Sequence, residues 1–443
     1  MVFSSIEFIF VFMPIFLCIY YLTPERFRNV CLLLGSLLFY GIGSAEKPEY
    51  ILFFMASLML NYLFGILIDK SHGKLWFPLG VATNVLYLVV CKYFLRVLPI
   101  GISFYTFQAI SYLCDVHRKK CRAESSFLHY GVYLSMFPQL VAGPIVQFRD
   151  ICHQIHKRTY NFHSILNGLR VFILGLGSKV ILANRVGGLW SQLTAIGYES
   201  ISTPLAWLGL FAYSFQIYFD FLGYSLMAIG LGSMLGFDLP VNFDNPYLST
   251  SMTEFWRRWH ITLGSWFREY VYIPLGGNQK GKLITYRNLF VVWLLTGIWH
   301  GASYNFVLWG LLLFVVITVE RAGLKQFLDR YRILGHLYML FLIPLSWAVF
   351  ANTDWNQLQL FFGRLFGADN MVGYGFQGDF VKYGQEYGVY LLLCLLFVVK
   401  LPQKIWAKLQ DTGLGQIVLV GIFAGSVYFL YKGINNPFLY YQF

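Results

Sequence analysis

The sequence predicts an all-α polytopic membrane protein with about a dozen crossings, on three observations. Hydrophobic residues make up 57% of the chain and aromatics 19%. Charged residues make up only 12%, about half the roughly 25% of soluble globular proteins, and mean hydropathy is +0.58. The chain has 443 residues; at about 20 apolar residues per helical crossing plus a loop, that length holds about a dozen crossings. A water-facing surface cannot be assembled from so few charges. A cytosolic enzyme, a secreted module and a disordered chain are therefore excluded, and the expected location is the cell membrane, multi-pass.

The first apolar run, 6–22, has no basic residues before it and no small-residue cleavage site after it, so it reads as a span and not as a signal peptide. Arg26 and Arg28 follow it, which sets its C-terminal end in the cytoplasm and the N-terminus outside. Further spans are expected at 30–44, 50–68, 75–95 and 98–114. The last runs into His117-Arg-Lys-Lys-Cys-Arg122, the densest basic cluster, which alternation places inside. Residues 128–147 contain Phe137-Pro-Gln-Leu-Val-Ala-Gly-Pro144, where two prolines and a glycine interrupt the apolar run. This predicts a broken or re-entrant helix lining a protein-enclosed cavity.

Spans follow at 165–183, 203–219 and 222–237. From Asn242-Phe-Asp-Asn-Pro246 to Pro274 the chain is amphipathic and does not span. Residues 288–319 contain no Asp, Glu, Lys or Arg. That is roughly 48 Å of helix at 1.5 Å per residue, too long for one crossing of ~30 Å, so a break near Gly297 and Gly301 is predicted. The last spans are 334–351, 386–400 and 413–431, and 352–385 reads as an external loop. Lys400, Lys404 and Lys408 against one Asp place the 400–411 loop in the cytoplasm and the C-terminus outside. The whole chain, 1–443, reads as a single transmembrane domain, with 400–443 as its final basic loop, last span and external tail.

Net charge is +12, from 33 basic and 21 acidic residues. The Lys and Arg lie between apolar runs, as the positive-inside rule expects, so the lipid bilayer accounts for them and no nucleic acid is implied. The seven Cys are scattered without CxxC spacing, which suggests neither a disulfide framework nor a zinc site. Cys152-His153-x-x-His156 has ligand-type residues but reads as a polar interfacial stretch, and no metal is expected.

Two of the nine His stand apart from charged or loop residues. His300 lies in Thr296-Gly-Ile-Trp-His-Gly-Ala-Ser303, inside the uncharged run, and an ionisable group at membrane depth is a functional-site hypothesis. The flanking glycines permit a helix break and close approach of a substrate. The alternative is a neutral imidazole hydrogen-bonding between helices. His260 lies in Ser251-Met-Thr-Glu-Phe-Trp-Arg-Arg-Trp-His-Ile-Thr-Leu-Gly-Ser-Trp-Phe-Arg-Glu-Tyr270. Ser251 and Glu254 fit a capping box. A continuous helix from there gives a polar stripe of Arg258, Thr262, Ser265 and Glu269, and an apolar one of Trp256, His260, Leu263 and Phe267. His260 then points into protein, as a structural or a functional imidazole.

Asp220, in Tyr218-Phe-Asp-Phe-Leu-Gly-Tyr-Ser225, is suited to pair with a buried Arg or to orient a histidine, and a structural role is expected. Arg257, Arg258, Arg268, Lys280 and Lys282 are suited to hold a phosphorylated donor, or equally to anchor the chain at the interface. No Walker A, HExxH or GxSxG pattern occurs, which argues against a self-contained serine hydrolase.

Two membrane histidines forty residues apart, in Arg-Arg-Trp-His260 and Trp299-His-Gly301, resemble the membrane-bound O-acyltransferase family. Met1-Val-Phe-Ser-Ser5, Gly101-Ile-Ser-Phe-Tyr-Thr-Phe-Gln108, Phe137 to Pro144, Glu254-Phe-Trp-Arg-Arg-Trp-His260 and Trp266-Phe-Arg-Glu-Tyr-Val-Tyr-Ile-Pro-Leu-Gly-Gly-Asn278 resemble its bacterial alginate O-acetylation branch. One departure stands out. The branch reads Asp-Phe-Ser-Gly-Tyr-Ser-Asp where this chain has Leu222 and Leu226 at the Ser and the second Asp.

The resemblance implies a helical ring around a thin centre, with a central tunnel and re-entrant and interfacial helices. It implies no bound cofactor, a cytoplasmic thioester donor (acetyl-CoA or an acyl carrier thioester), and an acceptor entering from the other side. His300 matches the family's catalytic histidine and is expected to act as general base. His260 matches the branch's accompanying histidine and is expected to position the donor or the tetrahedral intermediate, with Trp299 and Asp220 in support. The expected acceptor is an exported polysaccharide, O-acetylated with an extracytoplasmic acetyltransferase of the SGNH type as partner.

The tail, Asn436-Pro-Phe-Leu-Tyr-Tyr-Gln-Phe443, resembles the Phe-x-Tyr-x-x-Phe ending of a small partner protein in teichoic-acid D-alanylation. Tyr440 is thereby a candidate acyl acceptor, the alternative being an aromatic interface anchor. Three rival functions stay open on the sequence. They are D-alanyl transfer towards teichoic acids, a transporter or flippase with proton-relaying histidines, and a scaffold without chemistry.

Overall fold

The computed structural model describes residues 1–71, 74–95, 98–159, 161–367, 378–433 and 439. Among them the secondary structure is entirely helical, as the composition predicts. Among the described residues, seven helices are long and apolar enough to cross a membrane. The count is eight if Asp379–Phe397 and Leu401–Leu409, bent by 77°, form one span. Other apolar runs fold as shorter helices, among them Phe8–Leu22, Arg28–Gly43 and Ile102–His117. Packing divides the chain into two compact units, residues 1–175 with 224–241, and residues 176–223 with 242–443.

The first unit contains the proline-interrupted stretch, which is broken as expected. Helix Phe127–Ser135 ends, Phe137–Leu140 makes one turn, and 144–147 is irregular before helix Phe148–His156. The break is wedged in place by aromatic packing. The Phe137 ring stands 5.2 Å from Phe16, 5.4 Å from Phe39 and 5.6 Å from Phe12.

Outside the site, the structure departs from the sequence reading at three places along the helices. The spans expected at 203–219 and 222–237 are one helix, Thr203–Met234. Asp220 lies within this helix, a carboxylate in an otherwise apolar run. It is met within the protein by Lys179 Nζ at 2.5 Å, so no loop is required to solvate it. The stretch expected as an external loop contains helix Trp355–Leu365, capped by Asp354, whose Oδ1 accepts the Gln357 N–H at 2.9 Å. Buried Arg364 ties this helix down by donating to the carbonyls of Tyr198 and Glu199 at 3.2 and 2.7 Å. The basic loop at 400–411 is itself largely helix Leu401–Leu409.

Candidate active site

Helix Met252–Arg258 begins where the sequence places it. Ser251 Oγ accepts the Glu254 N–H at 3.2 Å. Glu254 reaches one residue further back than a capping box requires, its Oε2 accepting the Thr250 N–H at 2.9 Å. A second carboxylate, buried Glu320, accepts the N–H groups of Met252 and Thr253 at 2.6 and 2.8 Å. Glu320 thus serves two unpaired donors of this helix start, and both carboxylates complement its dipole.

The continuous helix expected beyond this point is interrupted at His260. The first helix ends at Arg258, the second is Ile261–Phe267, and His260 between them sits at φ 43°, ψ 55° in the left-handed region. A side-chain-bearing residue there costs of order 1–2 kcal/mol and persists only where its surroundings impose it. Segment 242–244 imposes it. The Ile261 N–H donates to Asn242 O at 3.0 Å, the Thr262 hydroxyl to Asn242 Oδ1 at 2.9 Å, and the Asp244 N–H to Arg258 O at 3.0 Å. The expected polar and apolar stripes therefore do not run down one helix. Trp256, His260, Leu263 and Phe267 still converge, because the bend wraps the chain around a single cavity that all four line.

His300 reaches that cavity from another direction. It is the last residue of helix Lys282–His300, after which Tyr304–Val319 returns antiparallel. The predicted break falls at 301–303, whereas Gly297 stays helical and serves a different purpose. A Cβ at Gly297 would lie 2.5 Å from Phe306 O, and one at Gly310 would lie 2.4 Å from Trp293 O. The hairpin is therefore closed tightly enough to hold the imidazole among rings, with Trp299 at 4.6 Å, Phe350 at 5.0 Å and Trp309 at 5.2 Å.

The cavity encloses about 310 Å³, and both His260 and His300 line it. Its walls include Trp256, Trp293, Trp309 and Trp347. The indole N–H groups of Trp256 and Trp309 are buried without an acceptor among the described residues. Where the cavity meets solvent it is lined by exposed Arg257, Arg268 and Arg321. His260 packs against Phe221 at 4.6 Å, and burial pushes its imidazole below the ordinary histidine range, keeping it neutral at pH 7.

Four sequence candidates thus share one site: His300, His260, Arg257 and Arg268. Of the other described candidates, Trp299 packs on His300 at 4.6 Å without lining the cavity, and the rest lie elsewhere. Arg258 pairs with Glu254 at 2.6 Å and faces a separate polar groove. Lys280 and Lys282 are exposed at the start of helix Lys282–His300, outside the cavity lining. Asp220 is paired with Lys179, neither an arginine nor a histidine, and accepts the Leu439 N–H at 2.8 Å. Tyr440 lies outside the described residues. Sequence reasoning missed Arg321, which follows an uncharged run and reads there as an interfacial flank, and the two indole donors, which read as apolar filling.

The sequence profile of the membrane-bound O-acyltransferase family matches residues 83–346, a range that includes both histidines. A probable alginate O-acetylase of Pseudomonas fluorescens is 39% identical over 381 residues, covering 83% of this chain and 75% of that protein. A peptidoglycan O-acetyltransferase of Helicobacter pylori is 34% identical over 411 residues, covering 79% of this chain and 77% of its own length. A teichoic acid D-alanyltransferase of Bacillus subtilis is 29% identical over 231 residues, covering 49% of this chain and 58% of its own length.

Proposed function

Because the chain belongs to the membrane-bound O-acyltransferase family and is an O-acyltransferase, we propose that it takes an acetyl group from acetyl-CoA at the cytoplasmic face for O-acetylation of an exported cell-envelope polysaccharide. The observation that carries this reading is the convergence of His260 and His300 on one tryptophan-walled cavity edged by three arginines.

In this reading the arginines take the donor's phosphates through charge-assisted hydrogen bonds, and the thioester arm enters the aromatic cavity. A hydroxyl with a pKa far above 7 attacks a thioester only if a base removes its proton. His300 takes that proton as the C–O bond forms. The tetrahedral intermediate collapses with cleavage of the C–S bond, and the proton passes to the departing thiolate. The products are an acetyl ester, free CoA thiol and a neutral imidazole. His260, neutral and held in a strained conformation, fixes the donor carbonyl or the tetrahedral intermediate.

The hydroxyl we assign is that of Tyr440, which would hand the acetyl group to an SGNH-type extracytoplasmic acetyltransferase. Support comes from the residue before it. Leu439 is buried and its N–H is held by Asp220, within the unit that carries the cavity. The positive-inside reading assigns both termini to the extracytoplasmic face.

Thiol release by the purified protein tests the donor. Acetyl-CoA is expected to release free thiol, whereas an acylated carrier protein is not. Release from the carrier protein alone would transfer the assignment to D-alanyl-type chemistry. Tyr440→Phe, which keeps the ring and removes the nucleophile, is expected to abolish polymer acetylation at normal protein levels. Wild-type acetylation in that variant would reject the relay.

A further inference from the structure

In the first unit, three ligand-type side chains from two helices and a loop converge. The loop after Arg122 carries Glu124, whose N–H donates to Tyr112 Oη at 2.9 Å and whose side chain is buried. His129 is the third residue of helix Phe127–Ser135 and His156 the last of helix Phe148–His156. His156 Nε2 lies 2.9 Å from Glu124 Oε2, and His129 Nδ1 lies 3.7 Å from Glu124 Oε1. All three ligand atoms fall within 4.8 Å of one another. The imidazole rings stand 4.6 Å apart at 85°. His129 Nδ1 is buried and has no hydrogen-bond partner among the described residues.

We propose that Glu124, His129 and His156 bind one divalent transition-metal ion of the zinc type. Two imidazoles and a carboxylate are a ligand set that zinc takes. With bonds of about 2.0–2.2 Å, ligand atoms on a tetrahedral ion stand roughly 3.3–3.5 Å apart. The Glu124 contacts, 2.9 Å on one carboxylate oxygen and 3.7 Å on the other, bracket that spacing, and rotation of the exposed His156 brings the two imidazoles and one carboxylate oxygen onto a single ion. Arg158, whose charge reaches this site, is itself bound to Asn29 Oδ1 at 2.7 Å and lies over the Phe237 ring at 4.7 Å. Of the Cys152-His153-x-x-His156 run only His156 takes part: Cys152 Sγ bonds Arg149 O at 3.5 Å, and the ligand atoms that converge are those of Glu124, His129 and His156. Three protein ligands leave a coordination position for water or a fourth group. The ion ties the start of one helix to the end of the next and so closes the segment, 136–147, that the prolines break.

The test uses the full chain in detergent, purified without a histidine tag and stripped with chelator, then titrated with Co(II) and afterwards Zn(II). Uptake of one equivalent of Co(II) is expected, with visible ligand-field absorption that Zn(II) displaces. His156→Ala, at an exposed position, is expected to weaken binding about 100-fold or more, since loss even of an outer partner costs 10–100-fold. His129→Gln should do the same, while His153→Ala binds normally. Zn(II) is expected to raise the Tm of the wild type and leave that of His156→Ala unmoved, which separates lost binding from lost folding. Absence of stoichiometric Co(II) uptake by the wild type, or wild-type affinity in His156→Ala, overturns the proposal.

Discussion

Phe12, Phe16, Phe39 and Phe137 of the first unit and Trp256, Trp259, Trp293, Trp309 and Trp347 of the second are both dense aromatic clusters, yet they end differently. The phenylalanines close around Phe137 with centroids 5.2–5.6 Å apart and carry no polar atom. The tryptophans pack at similar spacing, Trp256 to Trp293 at 5.1 Å and Trp256 to Trp309 at 5.5 Å. They nevertheless leave about 310 Å³ unfilled between two histidines, and the N–H groups of Trp256 and Trp309 are buried without acceptors among the described residues. Aromatic density therefore does not mark a site. Unfilled volume bounded by polar handles does, because a close-packed interior otherwise leaves few such voids.

The contrast can be broken most forcefully at His300. His300→Ala is expected to lower acyl transfer by about 10²–10⁴-fold while membrane accumulation stays normal. Thiol release per molecule measures it, and near-wild-type turnover would remove the base. Phe137→Ala should do the opposite. It is expected to cost roughly 3–5 kcal/mol of stability with normal turnover per folded molecule, read from chemical denaturation beside activity; a catalytic defect in the fully folded variant would erase the distinction between the clusters. Trp309→Phe keeps a ring in the wall but removes a donor, and about a tenfold loss in kcat/KM with unchanged Tm is expected from one hydrogen bond to a bound group. Arg321→Gln should raise KM for acetyl-CoA several-fold at low salt, with kcat unchanged and the difference shrinking as salt rises.

The smallest effect concerns pH. Burial depresses the His260 pKa below its unfolded value of about 6.5. As pH falls through 6.5 the unfolded chain takes up a proton that the folded chain refuses, so folding is disfavoured on the acid side. Between pH 7 and pH 5 the Tm of the wild type should fall more steeply than that of His260→Gln. Equal slopes would mean that His260 titrates normally.

Much of this molecule is legible in the sequence because its signals are local. The uncharged run from 288 to 319 requires a break, and the break is at 301–303. Two prolines and a glycine announce the break between the helices ending at Ser135 and starting at Phe148, and Ser251 announces a helix start. What the sequence hides depends on partners distant along the chain. No residue type near His260 signals a left-handed turn; Asn242 and Asp244 impose it through hydrogen bonds. Asp220 reads as a partner for an arginine or a histidine, and its actual partner, Lys179, is 41 residues away along the chain. Arg321 joins the cavity only because its helix returns along the one bearing His300. The family motifs pointed to His260 and His300 as a pair, but their sharing of one cavity is a tertiary fact.

The most direct test of that cavity as the donor site is a structure of the protein bound to a thioether analogue of acetyl-CoA. The acetyl end is expected within the tryptophan walls between His260 and His300, with phosphates beside Arg257, Arg268 and Arg321. An analogue bound elsewhere, with this cavity empty, would contradict it.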